Sequence, residues 1–149
     1  MDVEVSVSHT EPRSGESESA LTGVELRMSA DPTQLSVVRA VAADIAMRQD
    51  FDLDSIEDLK LAVDEACSTL ISLAAPAAVL SAQFVVVEGS VQVSTKVSSQ
   101  RSTPPDRDSF GWRVLSALVD SVTTWVAPQD DAYEVHIDLV KRSLGTVDA

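Results

Sequence analysis

A chain of 149 residues with 44% hydrophobic and 4% aromatic residues suits one domain around an aliphatic core of Val, Leu, Ala and Ile. Its formal net charge of -13 argues against a nucleic-acid partner, which needs a basic footprint, and against an anionic membrane surface. Such acidity suits a basic protein partner, although solubility alone also accounts for it. The single cysteine, Cys67, leaves no disulfide framework, and no metal-ligand cluster is visible. The N-terminus is polar and acidic, and no apolar run reaches the roughly 18 residues of a membrane span, so the expectation is a soluble cytoplasmic protein.

Residues 1–22 are rich in Ser, Glu and Thr and read as a flexible acidic tail, with the alternation of Val3, Val5 and Val7 leaving a short added strand open. A domain over residues 23–142 follows, and 143–149 read as a C-terminal tail. Val24 to Met28 alternate as a strand. Asp31-Pro32 opens a helix running to about Gln49, with Asp31 as cap and Pro32 at the first helical position. A second helix starts at Asp54 or Ser55, with Ser55 and Asp58 resembling a capping box, and ends before Pro76. The period then switches to two: Ala82–Val87 and Val91–Val97 flank Glu88-Gly89-Ser90 as a hairpin. After a Ser-, Pro- and Arg-rich loop, Phe110–Val119 returns to helical spacing, and Val122–Val126 with Tyr133–Val140 forms a last strand pair. Hairpin-linked strands with segregated helices predict an α+β, two-layer sandwich: a mixed, mainly antiparallel sheet with helices on one face.

The second helix places Ile56, Leu59, Val63, Ala66, Leu70 and Leu73 on one core stripe. Glu65 lies roughly 130° and Thr69 roughly 90° from its centre, so a carboxylate and a hydroxyl stand one turn apart on one flank. A glutamate on such a flank is ordinarily solvated. Lys60 and Asp64 are spaced for a surface ion pair. The first helix has a core stripe of Leu35, Val38, Ala42, Ile45 and Gln49, and a second stripe of Ser36, Ala40, Ala43 and Met47 bordered by Arg39. The second stripe fits a protein-binding face, because small residues allow close approach and Met adapts to a partner. It fits equally a helix buried on both faces, or Ala chosen for helix propensity. His136 points outward with Glu134 and Asp138 and reads as a solvated edge, and Cys67 as a small packed residue.

The order Leu59-x-Leu61-Ala62-Val63-x-Glu65-Ala66, with Thr69 four residues after Glu65, resembles the first nucleotide-site helix of the bacterial anti-sigma-factor serine kinases. These belong to the wider GHKL group of ATPases. The resemblance implies a histidine-kinase-like ATPase fold. It implies Glu65 as general base or orienting group, and Thr69 where the family supplies an Asn to Mg²⁺. It also implies Arg39, within Leu35–Ala42, as a contact for a sigma factor and for the competing anti-anti-sigma factor. ATP or GTP with Mg²⁺ is the implied ligand, and a homodimer the implied assembly.

Glycines limit that ligand to weak binding. A phosphate cradle needs them for close backbone approach, and of five in the chain only Gly111 stands where a nucleotide loop would be. Val97 occupies the place of the family's adenine-reading Asp and cannot accept a hydrogen bond from the base. Ser109 replaces a motif glycine, and the segment before it is too short for the usual ATP lid. The expectation is an anti-sigma factor with a degenerate nucleotide site. Two rival readings stand beside it: an active ATP- and Mg²⁺-dependent protein serine kinase acting on its anti-anti-sigma partner, and an unrelated adaptor domain.

Overall fold

The computed structural model describes residues 3–9 and 22–143. They form β1 (Val3–His9), β2 (Thr22–Ser29), a 3₁₀ turn (Pro32–Gln34), α1 (Leu35–Arg48), α2 (Leu53–Leu73), β3 (Val79–Val87), β4 (Ser90–Ser99), α3 (Phe110–Leu118), β5 (Ser121–Gln129) and β6 (Ala132–Arg142). The six strands make one sheet in the order β1-β2-β3-β4-β6-β5. Every neighbouring pair is antiparallel, so the expected mixed sheet is fully antiparallel among the described strands. The reason is topological. The α1–α2 pair turns the chain around before β3, and β6 inserts between β4 and β5, which would otherwise lie parallel.

Residues 3–9 were expected in a tail, and instead form the outermost strand. Val3, Val5 and Val7 stand opposite Met28, Leu26 and Val24, so the apolar row of β1 extends that of β2. The rest of the two expected tails, apart from Thr22 and Ser143, lies outside the described residues.

One face of the sheet supplies Leu26, Met28, Leu80, Ala82, Phe84, Val93, Val135, Ile137 and Leu139, all buried beneath the helices. The other face carries exposed Arg27, Gln83, Gln92, Ser94 and Lys96. From α2 the core receives the expected Ile56, Leu59, Val63, Ala66 and Leu70, widened by Ala62 and Cys67; Leu73 is only half-buried.

The caps refine the element boundaries. Asp31 accepts the Thr33 N–H and the Thr33 hydroxyl, both at 2.9 Å, and these bonds hold its carboxyl below the usual range. Pro32 follows as expected, but the first turn is 3₁₀. The Ser55–Asp58 capping box does not form. α2 starts at Leu53 with Asp52 as N-cap, Ser55 is buried in the first turn, and Asp58 pairs with Lys141 at 3.3 Å. At the end of α1 the Phe51 N–H reaches the Ala46 carbonyl and the Asp50 N–H the Met47 carbonyl, each at 3.1 Å. With Asp50 at φ 59° this is a Schellman stop, and Phe51 is buried behind it. Gln49 is therefore the C-cap and not the last member of the α1 core stripe.

Candidate functional site

The flank of α2 that carries Glu65 faces α3. Both Glu65 and Thr69 are half-buried, and they are neighbours as their spacing predicts. The Thr69 hydroxyl donates to the Glu65 carbonyl at 2.9 Å and lies 3.4 Å from its Oε2. Such back-bonding to the i-4 carbonyl directs the hydroxyl proton along its own helix.

Beyond the carboxylate stands the first turn of α3. A Cβ placed on Gly111 would collide with Glu65 Oε2 and lie 3.1 Å from its Cδ. Gly111 sits inside α3, so its lack of a side chain serves close approach of two helices. Ser109 is the N-cap: its hydroxyl accepts the Trp112 N–H at 3.1 Å and donates to the Asp106 carbonyl at 2.8 Å. Asp106 and Asp108 stand in the approach to the same helix start, where the Asp108 N–H meets the Asp106 carboxylate at 2.8 Å. The end of α3 that would attract phosphate is thus surrounded by the chain's own carboxylates. Val97 is buried in the core side of β4 and offers no acceptor.

α1 presents a different surface. Ser36, Ala40 and Met47 are exposed along its outer ridge and Ala43 is half-buried. The second-stripe residues therefore face outward, which sets aside a helix buried on both faces. Arg39 leaves the ridge toward α2, where its Nη1 meets Asp64 Oδ1 at 2.6 Å. The expected Lys60–Asp64 pair is not made: Lys60 pairs with Glu57 at 3.1 Å, because Asp64 is engaged by Arg39 across the helix interface. The sequence hid this bond, since 25 residues separate the partners.

His136 corrects another expectation. β6 lies between β4 and β5, so it is no edge, and the imidazole is mostly shielded. It stacks on Trp125 with ring centroids 4.4 Å apart and planes 9° from parallel, and its Nε2 lies 2.9 Å from Glu134 Oε1. Burial raises the Asp138 carboxyl above its usual range, partly offset by the His136 charge and a Ser94 hydroxyl hydrogen bond. No group of three or more His, Cys, Asp or Glu suited to a metal occurs among the described residues. Cys67 is fully buried, and burial, aided by the Asp64 charge, pushes its thiol up to about 12. It is a packed residue and no nucleophile.

Residues 28–132 match the histidine kinase-like ATPase domain family. The chain belongs to that family. Within it, the chain is 35% identical over 102 residues to the anti-sigma-F factor RsbW of Mycobacterium tuberculosis, in two strains. That alignment spans 68% of this chain and 61% of the relative's own length. It is 38% identical over 48 residues to the serine-protein kinase RsbW of Bacillus velezensis, spanning 32% of this chain and 30% of the relative.

Family membership sets aside the reading as an unrelated adaptor. The antiparallel sheet with helices on one face is the two-layer α+β arrangement expected of this ATPase family. The matched span runs from the end of β2 to the first residue of β6 and so holds α1, α2 and α3, while β1 lies outside it. No helix among the described residues is long and apolar enough to cross a membrane.

Proposed function

We propose that this protein is an anti-sigma factor: it sequesters an alternative RNA polymerase sigma factor in the cytoplasm and is released by an anti-anti-sigma antagonist. The similarity to proteins named anti-sigma-F factor motivates the reading. The observation that supports its form is the close approach of Glu65 to Gly111 in the first turn of α3, which favours a nucleotide site too reduced for catalysis and protein binding as the main activity. The α1 ridge of Ser36, Ala40, Ala43 and Met47 is the partner face, with Arg39 at its border held in one orientation by Asp64. Small side chains let a partner backbone approach, Met47 adapts to its shape, and the charge of -13 speeds encounter with a basic surface. Two copies associate as a homodimer.

A second reading retains activity: Glu65 and Thr69 stand together, and relatives are named serine-protein kinases. Calorimetric titration with ATP and with GTP, each with Mg²⁺, separates the two. The degenerate-site reading expects no saturable heat at millimolar nucleotide. Tight binding, together with phosphate transfer to a purified anti-anti-sigma protein that disappears in Glu65→Ala, would replace it with the kinase. Independently, Ala43→Glu should abolish capture of the cognate sigma factor while the fold persists; unchanged affinity removes α1 from the interface.

A further inference from the structure

A cleft of about 180 Å³ crosses the open face of the sheet, walled by Glu25 of β2, Gln83 of β3, Ser94 and Lys96 of β4, Asp138 of β6 and Trp125 of β5. Along each strand these side chains alternate with residues of the core side, such as Leu26 and Ile137, so they project away from the helices. Drug-sized sites begin at about 300 Å³, so the cleft excludes a nucleotide and suits a molecule of a few carbons.

Its charges select the occupant. Glu25, Gln83, Ser94 and Asp138 are successive partners across β2, β3, β4 and β6, which makes a row that is neutral in the middle with a carboxylate at each end. Neither carboxylate forms an ion pair among the described residues, and Glu25 is steadied by the Ser81 hydroxyl at 3.2 Å. Asp138 Oδ1 is buried without a hydrogen-bond partner among the described residues. A carboxylate with one oxygen withdrawn from solvent gains more from a neighbouring cation than a fully hydrated one. Lys96 stands opposite His136, diagonal to Asp138. Its ammonium is 3.8 Å from Glu134 Oε2, and Glu134 is shared with His136 at 2.9 Å and Gln129 at 3.3 Å. That cation is therefore open to a second carboxylate.

The complement is a molecule with a cation at each end and an anion beside one of them. Three interstrand steps of about 4.8 Å set the Cα atoms of Glu25 and Asp138 roughly 14 Å apart. Inward-leaning side chains and two charge-assisted bonds of about 2.8 Å leave the length of a four-carbon stem between them. We propose that this cleft binds a free basic amino acid of the lysine or ornithine type. Asp138 takes the α-ammonium, Lys96 the α-carboxylate and Glu25 the side-chain ammonium. Trp125, stacked on His136, walls the Asp138 end. The site lies across the sheet from α1 and from Glu65, and it gives the protein an input that does not depend on the anti-sigma reading.

Heteronuclear NMR of the full chain tests this, because the indole N–H of Trp125 reports on the cleft and that of Trp112 does not. The probe is L-lysine. It should move the Trp125 resonance saturably at millimolar concentration and leave Trp112 in place. Three analogues each lack one group: ε-aminocaproate the α-ammonium, cadaverine the carboxylate, and norleucine the side-chain ammonium. Each should bind at least about tenfold more weakly, as expected for one lost charge-assisted bond. Asp138→Asn and Glu25→Gln should weaken lysine by a similar factor with the circular dichroism of the fold retained, and Glu25→Gln should leave norleucine unaffected. A Trp125 resonance that lysine does not move overturns the site. Equal binding of any of the three analogues, or lysine binding insensitive to both substitutions, overturns the assignment of the ligand.

Discussion

Glu65 and Gly111 show how one pair of residues changes what a motif means. Along α2, Glu65 stands where a catalytic carboxylate would, but its side chain reaches the first turn of α3 and occupies the space that a side chain at position 111 would take. The group in the way is the end of a flexible side chain, so Gly111→Ala should displace the carboxylate at small cost and leave stability unchanged or raised by up to about 1 kcal/mol through helix propensity. In a Glu65→Ala background the same substitution should gain the full amount. Urea denaturation of the four proteins reads the coupling, and strictly additive effects would mean that the contact is not made. Asp138 gives a pH signature. Its folded pKa is raised by burial, so its carboxylate is destabilising above the window between the unfolded and folded values and has no such effect below both. Asp138→Asn should consequently raise the melting temperature more at pH 7 than at pH 3, the advantage growing as pH rises through that window.

At the scale of elements, helix ends and helix contacts fix where the site residues stand. α1 stops at a left-handed residue that is an aspartate, and α2 begins three residues later with Asp52 as cap. Glycine adopts φ > 0 without a Cβ clash, so Asp50→Gly should stabilise the protein by about 0.5–1 kcal/mol in thermal or chemical unfolding, net of the added chain entropy. Lys141, almost fully buried, donates to the Leu118 carbonyl at the end of α3 at 2.8 Å and to Asp58 of α2 at 3.3 Å. A cation at a helix C-terminus is favourable for the dipole, and this one ties α3 to α2 and β6. With Glu65 at one end of α3 and Lys141 at the other, that helix is fixed along α2 at both termini.

At the scale of the whole molecule, the sheet has one covered and one open face, and its two edges differ. β5 closes one side next to β6, whereas β1 ends the other with an apolar row that the helices do not reach. Ser36 and Ala40 of the α1 ridge also line the groove between α1 and the β1 edge, so the ridge and the groove form one continuous surface.

The local chemistry of the sequence was enough for most elements. Asp31-Pro32 marked a helix start because a carboxylate and a ring lacking N–H suit those two positions, and Gly89 marked the hairpin turn because φ 77° excludes most side chains. The α2 stripe named its core residues because burial follows a 3.6-residue period. Spacing also brought Glu65 and Thr69 together. What it left out were contacts between segments distant along the chain. Arg39 meets Asp64, Asp58 meets Lys141, Trp125 stacks on His136 and Gly111 admits Glu65 only because strand order and helix packing bring them together. β1 was legible as alternation alone, since an edge strand is decided by the neighbour it finds. The sequence by itself determined the helices and the inward faces, consequences of short-range periodicity, and its residue order along α2 carried the resemblance to the family. Only the tertiary structure decided that the carboxylate of the motif lies against the first turn of α3 and that an apolar edge stays open, because both depend on which surfaces the fold leaves room to cover.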